Sequence, residues 1–134
     1  MGVLIDASVL IGWERAGVEL DARVRGREED ALFLSVITVS ELLHGVHRAA
    51  DRSRRARRSA FVEGVLDAFP LLPIDVPTAR LHAELWAELV STGEMIGAHD
   101  LWLAAAAVAH DLSLATLNER EFGLVPGLEV EDWS

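Results

Sequence analysis

Short apolar runs alternate along the chain with longer stretches of helical periodicity. Apolar runs at 2–5, 31–36, 70–74, 114–116 and 128–130 are bounded by polar residues, prolines or glycines, which is typical of buried strands. Between them, apolar residues recur at spacings of three and four, which predicts helices packed on one face. Strands that alternate with helices predict an α/β domain with a central, mainly parallel sheet and helices on both faces.

Polar residues mark where several of these helices are expected to begin. Ser8 is predicted to cap the first helix, and Asp75 to cap the helix that contains Pro77. Thr38 and Glu41 match a capping box, in which each side chain bonds the other's backbone amide. Further helices are predicted over 17–30 at the surface, over 49–69 and over 99–110.

Length and composition fit a single domain over residues 1–134. The chain is 51% apolar, which excludes a disordered protein, and it contains no cysteine, which excludes disulfides, thiolate nucleophiles and thiolate zinc sites. The longest apolar run, 101–110, is shorter than the roughly 18 residues of a membrane span. No signal-peptide pattern follows Met1, so we expect a cytoplasmic protein without a membrane segment.

The charge is strongly negative but unevenly distributed. A net charge of −10 by itself argues against nucleic-acid binding. However, all twelve basic residues are arginines, whose guanidinium groups suit bidentate phosphate contacts, and half of them lie close together. This cluster consists of Arg48, Arg52, Arg54, Arg55, Arg57 and Arg58. It is either an RNA-binding surface or a solvated helix face, and a GC-rich genome would equally explain the missing lysines.

Several carboxylates lie where predicted strands end or helices begin. Asp6 follows the first strand, Glu41 begins the helix after the second, Asp100 opens the apolar helix, and Glu119 and Glu121 follow the fourth strand. The carboxyl ends of parallel strands share one edge of a sheet, so we expect these acids to converge. Converging carboxylates need a compensating cation, and an oxygen-only site favours Mg²⁺ or Mn²⁺ over zinc. Such a site can activate water against a phosphodiester.

Simpler interpretations compete with this one. Glu41 could be a capping residue only, since helix N-termini attract acids, and His82 on an apolar helix face is expected to be a packing residue. A phospho-acceptor receiver domain would require a lysine, and a haloacid-dehalogenase-like phosphatase would require an aspartate where Ser8 stands. Neither a P-loop nor a glycine-rich dinucleotide fingerprint is present.

Four segments resemble PIN-domain proteins, and more particularly the VapC-type toxins of bacterial toxin–antitoxin pairs. They are LIDAS at 4–8, TVSELLHG at 38–45, IGAHDLWLAA at 96–105, and TLNEREF at 116–122 followed by PGL at 126–128. Each motif is weak alone, but they follow the family's order and spacing over nearly the whole chain. The resemblance implies a PIN-like fold with about five strands in the order 3-2-1-4-5.

The resemblance also assigns roles to individual residues. The acids that match the family's Mg²⁺ or Mn²⁺ ligands are Asp6, Glu41 and Asp100. The hydroxyl residues that match its pocket lining are Ser8 and Thr116. The fourth acid is Glu121, with Asn118 as its polar neighbour, and it departs from the family's usual aspartate. Glu121 is one methylene longer than an aspartate, which puts a second metal position in doubt.

The activity implied by the resemblance is metal-dependent endoribonuclease cleavage of RNA, commonly tRNA or rRNA. A cognate VapB-like antitoxin would cover the site with its C-terminal segment, and the toxin would form a homodimer. The alternative is a catalytically weakened PIN-like domain that acts only as a binding partner. The departure from the family's aspartate at the fourth acid suggests this alternative.

Overall fold

A computed structural model describes residues 2–17, 22 and 30–133. Most of the surface helix predicted over 17–30 therefore lies outside the described residues. The strands are β1 (Gly2–Ile5), β2 (Ala31–Ser35), β3 (Leu71–Leu72), β4 (Ser113–Thr116) and β5 (Val130–Asp132). The helices are α1 (Ala7–Ala16), α2 (Val36–His47), α3 (Arg52–Ala68), α4 (Val76–Ser91), α5 (Ala98–Ala109) and α6 (Glu119–Phe122).

The five strands form one sheet in the order β3-β2-β1-β4-β5. Every neighbouring pair is parallel. Both the strand number and the 3-2-1-4-5 order implied by the resemblance are confirmed. Strand β5 begins two residues later than predicted, at Val130 rather than Leu128, because Leu128 still belongs to a turn in which its amide donates to the Val125 carbonyl.

Helices cover both faces of the sheet, as predicted, and each face has its own apolar core. Leu4 of β1 packs on the side of α4 and α5, whereas its neighbour Ile5 packs among residues of α1, α2 and α3. Alternate side chains of a strand point to opposite faces, so two adjacent residues of the central strand serve two cores. The carboxyl end of β1 is thereby held rigidly from both sides.

Two of the three predicted helix starts are wrong. The first helix begins at Ala7 with Asp6 as its cap residue, and Ser8 lies inside it. The second helix begins at Val36 and is capped by Ser35, whose side chain accepts a bond from the Ile37 amide. Both helices start directly after their strands, which leaves no room for the extra loop residues that the motifs suggested.

The third predicted helix start, at Asp75, is confirmed, and the corrected start of α2 changes the interpretation of Glu41. Asp75 caps α4, and its Oδ1 accepts a bond from the Thr78 amide at 3.0 Å. Because α2 starts at Val36, Glu41 lies in its second turn rather than its first. The capping-box interpretation of Thr38 and Glu41 is therefore excluded, and the Glu41 carboxylate is available for another role.

His82 is a packing residue, as predicted. Its ring stacks on Trp102 with centroids 3.6 Å apart and meets Trp86 edge-on at 5.9 Å. Burial lowers the pKa of His82, so the neutral imidazole is favoured. The stack on Trp102 joins α4 to α5. Among the described residues, no helix combines the length and apolarity that crossing a membrane requires.

Candidate active site

Asp6 lies at the carboxyl end of β1, where its amide donates to the Ala115 carbonyl of β4 at 2.9 Å. The side chain is only 5% exposed and makes no capping bond to its own helix. Instead, Oδ2 accepts hydrogen bonds from Ser8 Oγ at 2.6 Å and from Thr116 Oγ1 at 2.8 Å. Two hydroxyls thus orient a buried carboxylate, which offsets part of its desolvation.

Both hydroxyls are themselves fixed by backbone amides. Ser8 Oγ accepts from the Leu117 amide at 3.1 Å, and Thr116 Oγ1 accepts from the Asn118 amide at 2.9 Å. Each hydroxyl therefore directs its proton to Asp6. The network joins β1, the start of α1 and the turn after β4, which is why residues more than a hundred positions apart in sequence form one structure.

Glu121 bridges two elements of the site. Its Oε1 accepts from the Gly97 amide at 2.7 Å, and its Oε2 accepts from Asn118 Nδ2 at 2.7 Å. Gly97 precedes α5, so its amide belongs to the group of unpaired donors at a helix start. The other acid of this segment, Glu119, is exposed at the start of α6.

Asp100 lies in the first turn of α5, next to this bridge. Its pKa is raised to about 7, mainly by burial and then by the negative charges of Glu121, Asp6 and Glu41. A hydrogen bond shared with Glu121 raises the pKa further. Four of the five acids expected to converge, Asp6, Glu41, Asp100 and Glu121, thus lie within electrostatic range of one another, whereas the fifth, Glu119, is exposed and takes no part.

Glu41 of α2 is the fourth acid of the cluster. Burial raises its pKa, and the charge of Asp6 raises it further, whereas His99 acts in the opposite direction. The Nδ1 atom of His99 lies 3.9 Å from Glu41 Oε1. His99 is exposed and neighbours Asp100, so an imidazole stands beside two of the acids.

A cleft of about 800 Å³ opens over this cluster. Glu41 and Asp100 contribute to its lining, together with Gly97 and His99, whereas Asp6 does not belong to the lining. Two of the six clustered arginines, Arg48 and Arg58, also line the cleft, and the other four do not; Arg15 of α1 is a further lining arginine.

Comparison with known proteins identifies the family. The family model described as PIN domain matches residues 3–128, which is most of the chain. The chain belongs to the PIN domain family. It is 33% identical to Ribonuclease VapC of Rickettsia bellii, over 97% of this chain and 95% of that protein. It is 33% identical to the tRNA(fMet)-specific endonuclease VapC of Salmonella typhimurium, over 75% and 74%.

Solved structures agree with the fold. A DNA-bound VapBC from Salmonella typhimurium superposes with a TM-score of 0.89 at 27% identity, covering 100% of this chain and 99% of that one. VapBC-5 from Mycobacterium tuberculosis gives a TM-score of 0.76 at 32% identity, covering 97% and 95%. The resemblance to VapC-type proteins seen in the four sequence segments is therefore confirmed over nearly the full length of the chain.

Three neighbours of the acids were not predicted from sequence. The Gly97 amide bonds Glu121, His99 approaches Glu41, and Arg15 lines the cleft. Gly97 and His99 both closely precede Asp100 within one predicted loop and helix start, so proximity in sequence was an available signal. Arg15 offered none, because its position depends on where α1 packs against α2.

Proposed function

We propose that the chain is a metal-dependent endoribonuclease toxin that hydrolyses RNA phosphodiester bonds. The observation that carries this proposal is the convergence of Asp6, Glu41, Asp100 and Glu121 at one edge of the sheet, where the negative charges of the other three acids help to raise the pKa of Asp100. An all-oxygen donor set of this charge suits Mg²⁺ or Mn²⁺. The names of the VapC relatives, ribonuclease and tRNA(fMet)-specific endonuclease, support RNA, such as tRNA or rRNA, as the substrate.

Asp6, Glu41 and Asp100 would hold the ion, with Glu121 as a fourth, weaker contributor. Among the described residues no three acidic or histidine side chains form a ready-made ligand set, so binding would require side-chain rotation. Rotation is easiest for Glu41 and Asp100, which line the open cleft, and hardest for Asp6, which two hydroxyls hold. When bound, the ion supplies positive charge for the phosphate and lowers the pKa of a bound water.

The remaining residues would prepare the site. Ser8 and Thr116 fix the orientation of Asp6, and Asn118 and the Gly97 amide fix Glu121. Asp6, at the base of the site, is only 5% exposed, and its shielding from water strengthens electrostatic interactions there.

The decisive experiment is digestion of a total RNA preparation by the purified chain. We expect discrete cleavage products with Mg²⁺ or Mn²⁺ and none in EDTA; equal cleavage in EDTA would contradict the metal mechanism. Glu41→Gln should abolish cleavage while leaving the melting temperature within a few degrees, because Glu41 makes no helix cap. As a matched control, Glu84→Gln on the exposed surface of α4 should cleave like the parent chain.

The second candidate is a weakened PIN domain that acts only by binding, and the hydrogen bonds of Glu121 favour it. Both of its carboxylate oxygens are engaged in hydrogen bonds within the protein. Restoring the family's usual residue with Glu121→Asp should raise cleavage if the longer side chain limits the reaction. A parent chain and a Glu121→Asp variant that are both inactive on total RNA would favour this second candidate.

The chain would bind a VapB-like antitoxin, because relatives of 27% and 32% identity were solved as VapBC. It would also form a homodimer. We expect the toxin and its antitoxin to act in the cytoplasm, where RNA is accessible. Co-expression with the cognate antitoxin should protect cells that the toxin alone stops from growing, and the Asp100→Asn chain should be harmless without it.

A further inference from the structure

Arg58 is held in a fixed orientation by three helices. It lies on α3, its Nη1 donates to the Gly45 carbonyl of α2 at 3.0 Å, and its Nε lies 3.5 Å from Glu14 Oε1 of α1. Its side chain is 38% exposed, so the guanidinium is anchored but accessible. It lines the same cleft as Glu41 and Asp100.

The other arginines of the cluster differ from Arg58. Arg54 pairs with Asp51 at the exposed start of α3, and Arg55 donates to the Ala49 carbonyl. Neither of them lines the cleft, nor does Arg57, which is exposed on the same helix. The cluster therefore divides into arginines that line the cleft and arginines that do not. Among the contacts of the described residues, Arg58 is the cleft arginine whose guanidinium is bonded to neighbouring helices.

We propose that Arg58 is a phosphate-binding site for the RNA backbone, which positions the strand for cleavage by the neighbouring acids; this rests on the proposed function. Arg58 contacts the protein through Nη1 and Nε. Within the described residues the N–H groups of Nη2 donate no hydrogen bond, so they remain available to a phosphate. A planar fork that is already oriented binds phosphate oxygens with little loss of side-chain entropy.

The cleft itself argues for RNA. A strand that reaches Asp100 and Glu41 must pass through the cleft that they line, and its phosphates are repelled by these acids and by Glu14. A fixed cation in the same cleft offsets that repulsion. An acidic side chain of an antitoxin could meet the same guanidinium, but an antitoxin is not obliged to occupy this position, whereas the substrate is.

The test is the binding of a fluorescent, mixed-sequence single-stranded RNA of about 20 nucleotides, measured by anisotropy in EDTA so that binding is separated from cleavage. Arg58→Ala should weaken binding about tenfold at low salt and reduce the salt-dependence slope by about 0.7, the value for one phosphate contact on a single strand. Arg57→Ala and Arg80→Ala remove the same charge outside the cleft and should change affinity less than about twofold. An equal loss with Arg57→Ala would mean diffuse attraction and would overturn the proposal.

Glu14→Gln distinguishes a phosphate site from a purely structural role. It removes the carboxylate that competes with phosphate for Arg58, so RNA should bind about two- to fivefold more tightly. This gain should disappear in an Arg58→Gln background, and an equal gain there would mean that Glu14→Gln only relieves repulsion of the strand and would overturn the phosphate site. Glu14→Gln also keeps the proposal testable if Arg58→Ala does not fold, and Arg58→Lys, which keeps the charge without the fork, should be intermediate.

The outcomes separate this proposal from the proposed function. A parent chain that cleaves RNA, together with an Arg58→Ala variant that binds and cleaves equally well, would overturn the phosphate site and leave the nuclease intact. A parent chain that never cleaves would contradict the nuclease, and the binding series would still decide the role of Arg58. An Arg58→Ala variant that binds RNA normally but fails to retain the co-expressed antitoxin would reassign the residue to that interface.

Discussion

At the residue scale, Asp100 couples the site to the stability of the fold. In the metal-free chain its carboxyl keeps a proton up to a pH of about 7, mainly because it is buried and then because three acids face it. In the unfolded chain the same carboxyl releases its proton near 3.8. Between these values the folded state binds more protons than the unfolded state, so stability falls as the pH rises from about 4 to 7.

We therefore predict that Asp100→Asn raises the melting temperature in EDTA at pH 7.5 and has little effect at pH 4. The amide retains the size of the side chain and removes the charge that burial opposes. The measurement is thermal unfolding of both proteins across this pH range. A variant that melts lower than the parent at pH 7.5 would contradict the prediction and would mean that the carboxylate holds the fold together.

Thr38 provides a second prediction at this scale. Its hydroxyl is fully buried on α2 and, within the described part of the chain, has no hydrogen-bond partner. An unsatisfied buried hydroxyl costs about 1–3 kcal/mol, so Thr38→Val, which keeps the shape, should stabilise the fold by about 1 kcal/mol. Chemical denaturation measures this difference, and Thr38→Ser, which keeps the hydroxyl and removes a methyl group, is the control. A loss of stability with valine would indicate that the hydroxyl is satisfied by a bound water.

At the scale of elements, Gly45 weakens α2 without an obvious steric reason. Glycine inside a helix costs about 1 kcal/mol relative to alanine. A Cβ at this position would meet Arg58 Cδ at 3.7 Å, which is an ordinary contact. We predict that Gly45→Ala raises the melting temperature by a few degrees. Gly64→Ala in α3, where a new Cβ would have no atom within 4 Å, is the matched control and should stabilise similarly. A melting temperature that falls only in Gly45→Ala would show that the Arg58 side chain cannot move to accommodate the methyl group.

The elements also show what the sequence could predict. Apolar runs and periodicity located all five strands and the five longer helices of the described residues, since burial determines both. Helix starts failed at Ser8 and Thr38 because a polar residue matches a capping pattern whether or not the backbone turns there. The strand-end rule placed Asp6, Glu41 and Glu121 correctly because they follow β1, β2 and β4, whereas Asp100 opens a helix that follows another helix and lies outside that rule.

Other contacts could not be predicted. The bond from the Gly97 amide to Glu121 joins residues 24 positions apart. The ion pair between Arg58 and Glu14 joins two helices on the same face of the sheet. Both depend on how far each helix is rotated and shifted against its neighbours, and periodicity does not specify that to within a hydrogen-bond length.

At the scale of the whole molecule, one surface is unusually apolar for a chain of this charge. Trp86 is 56% exposed, Val90 57% and Met95 71%. The first and last of these line a groove of about 280 Å³ together with Trp102 and Ile96. Contiguous exposed apolar surface of this kind marks an interaction site. A protruding indole beside a groove on the same face provides both halves of a two-fold, self-complementary contact, so a second copy of the chain is the expected occupant.

We predict that this surface forms the homodimer. Val90→Glu lies one turn from Trp86 and lacks its ring contact with His82, so it should convert the dimer to a monomer without lowering the melting temperature of the monomer. Light scattering coupled to gel filtration measures the change, and Leu124→Glu, at an exposed leucine outside the groove, is the control. Because each copy carries a net charge of −10, added salt should strengthen the parent dimer by screening repulsion. A parent chain that remains monomeric at all salt concentrations would exclude this interface and leave the patch to a different partner.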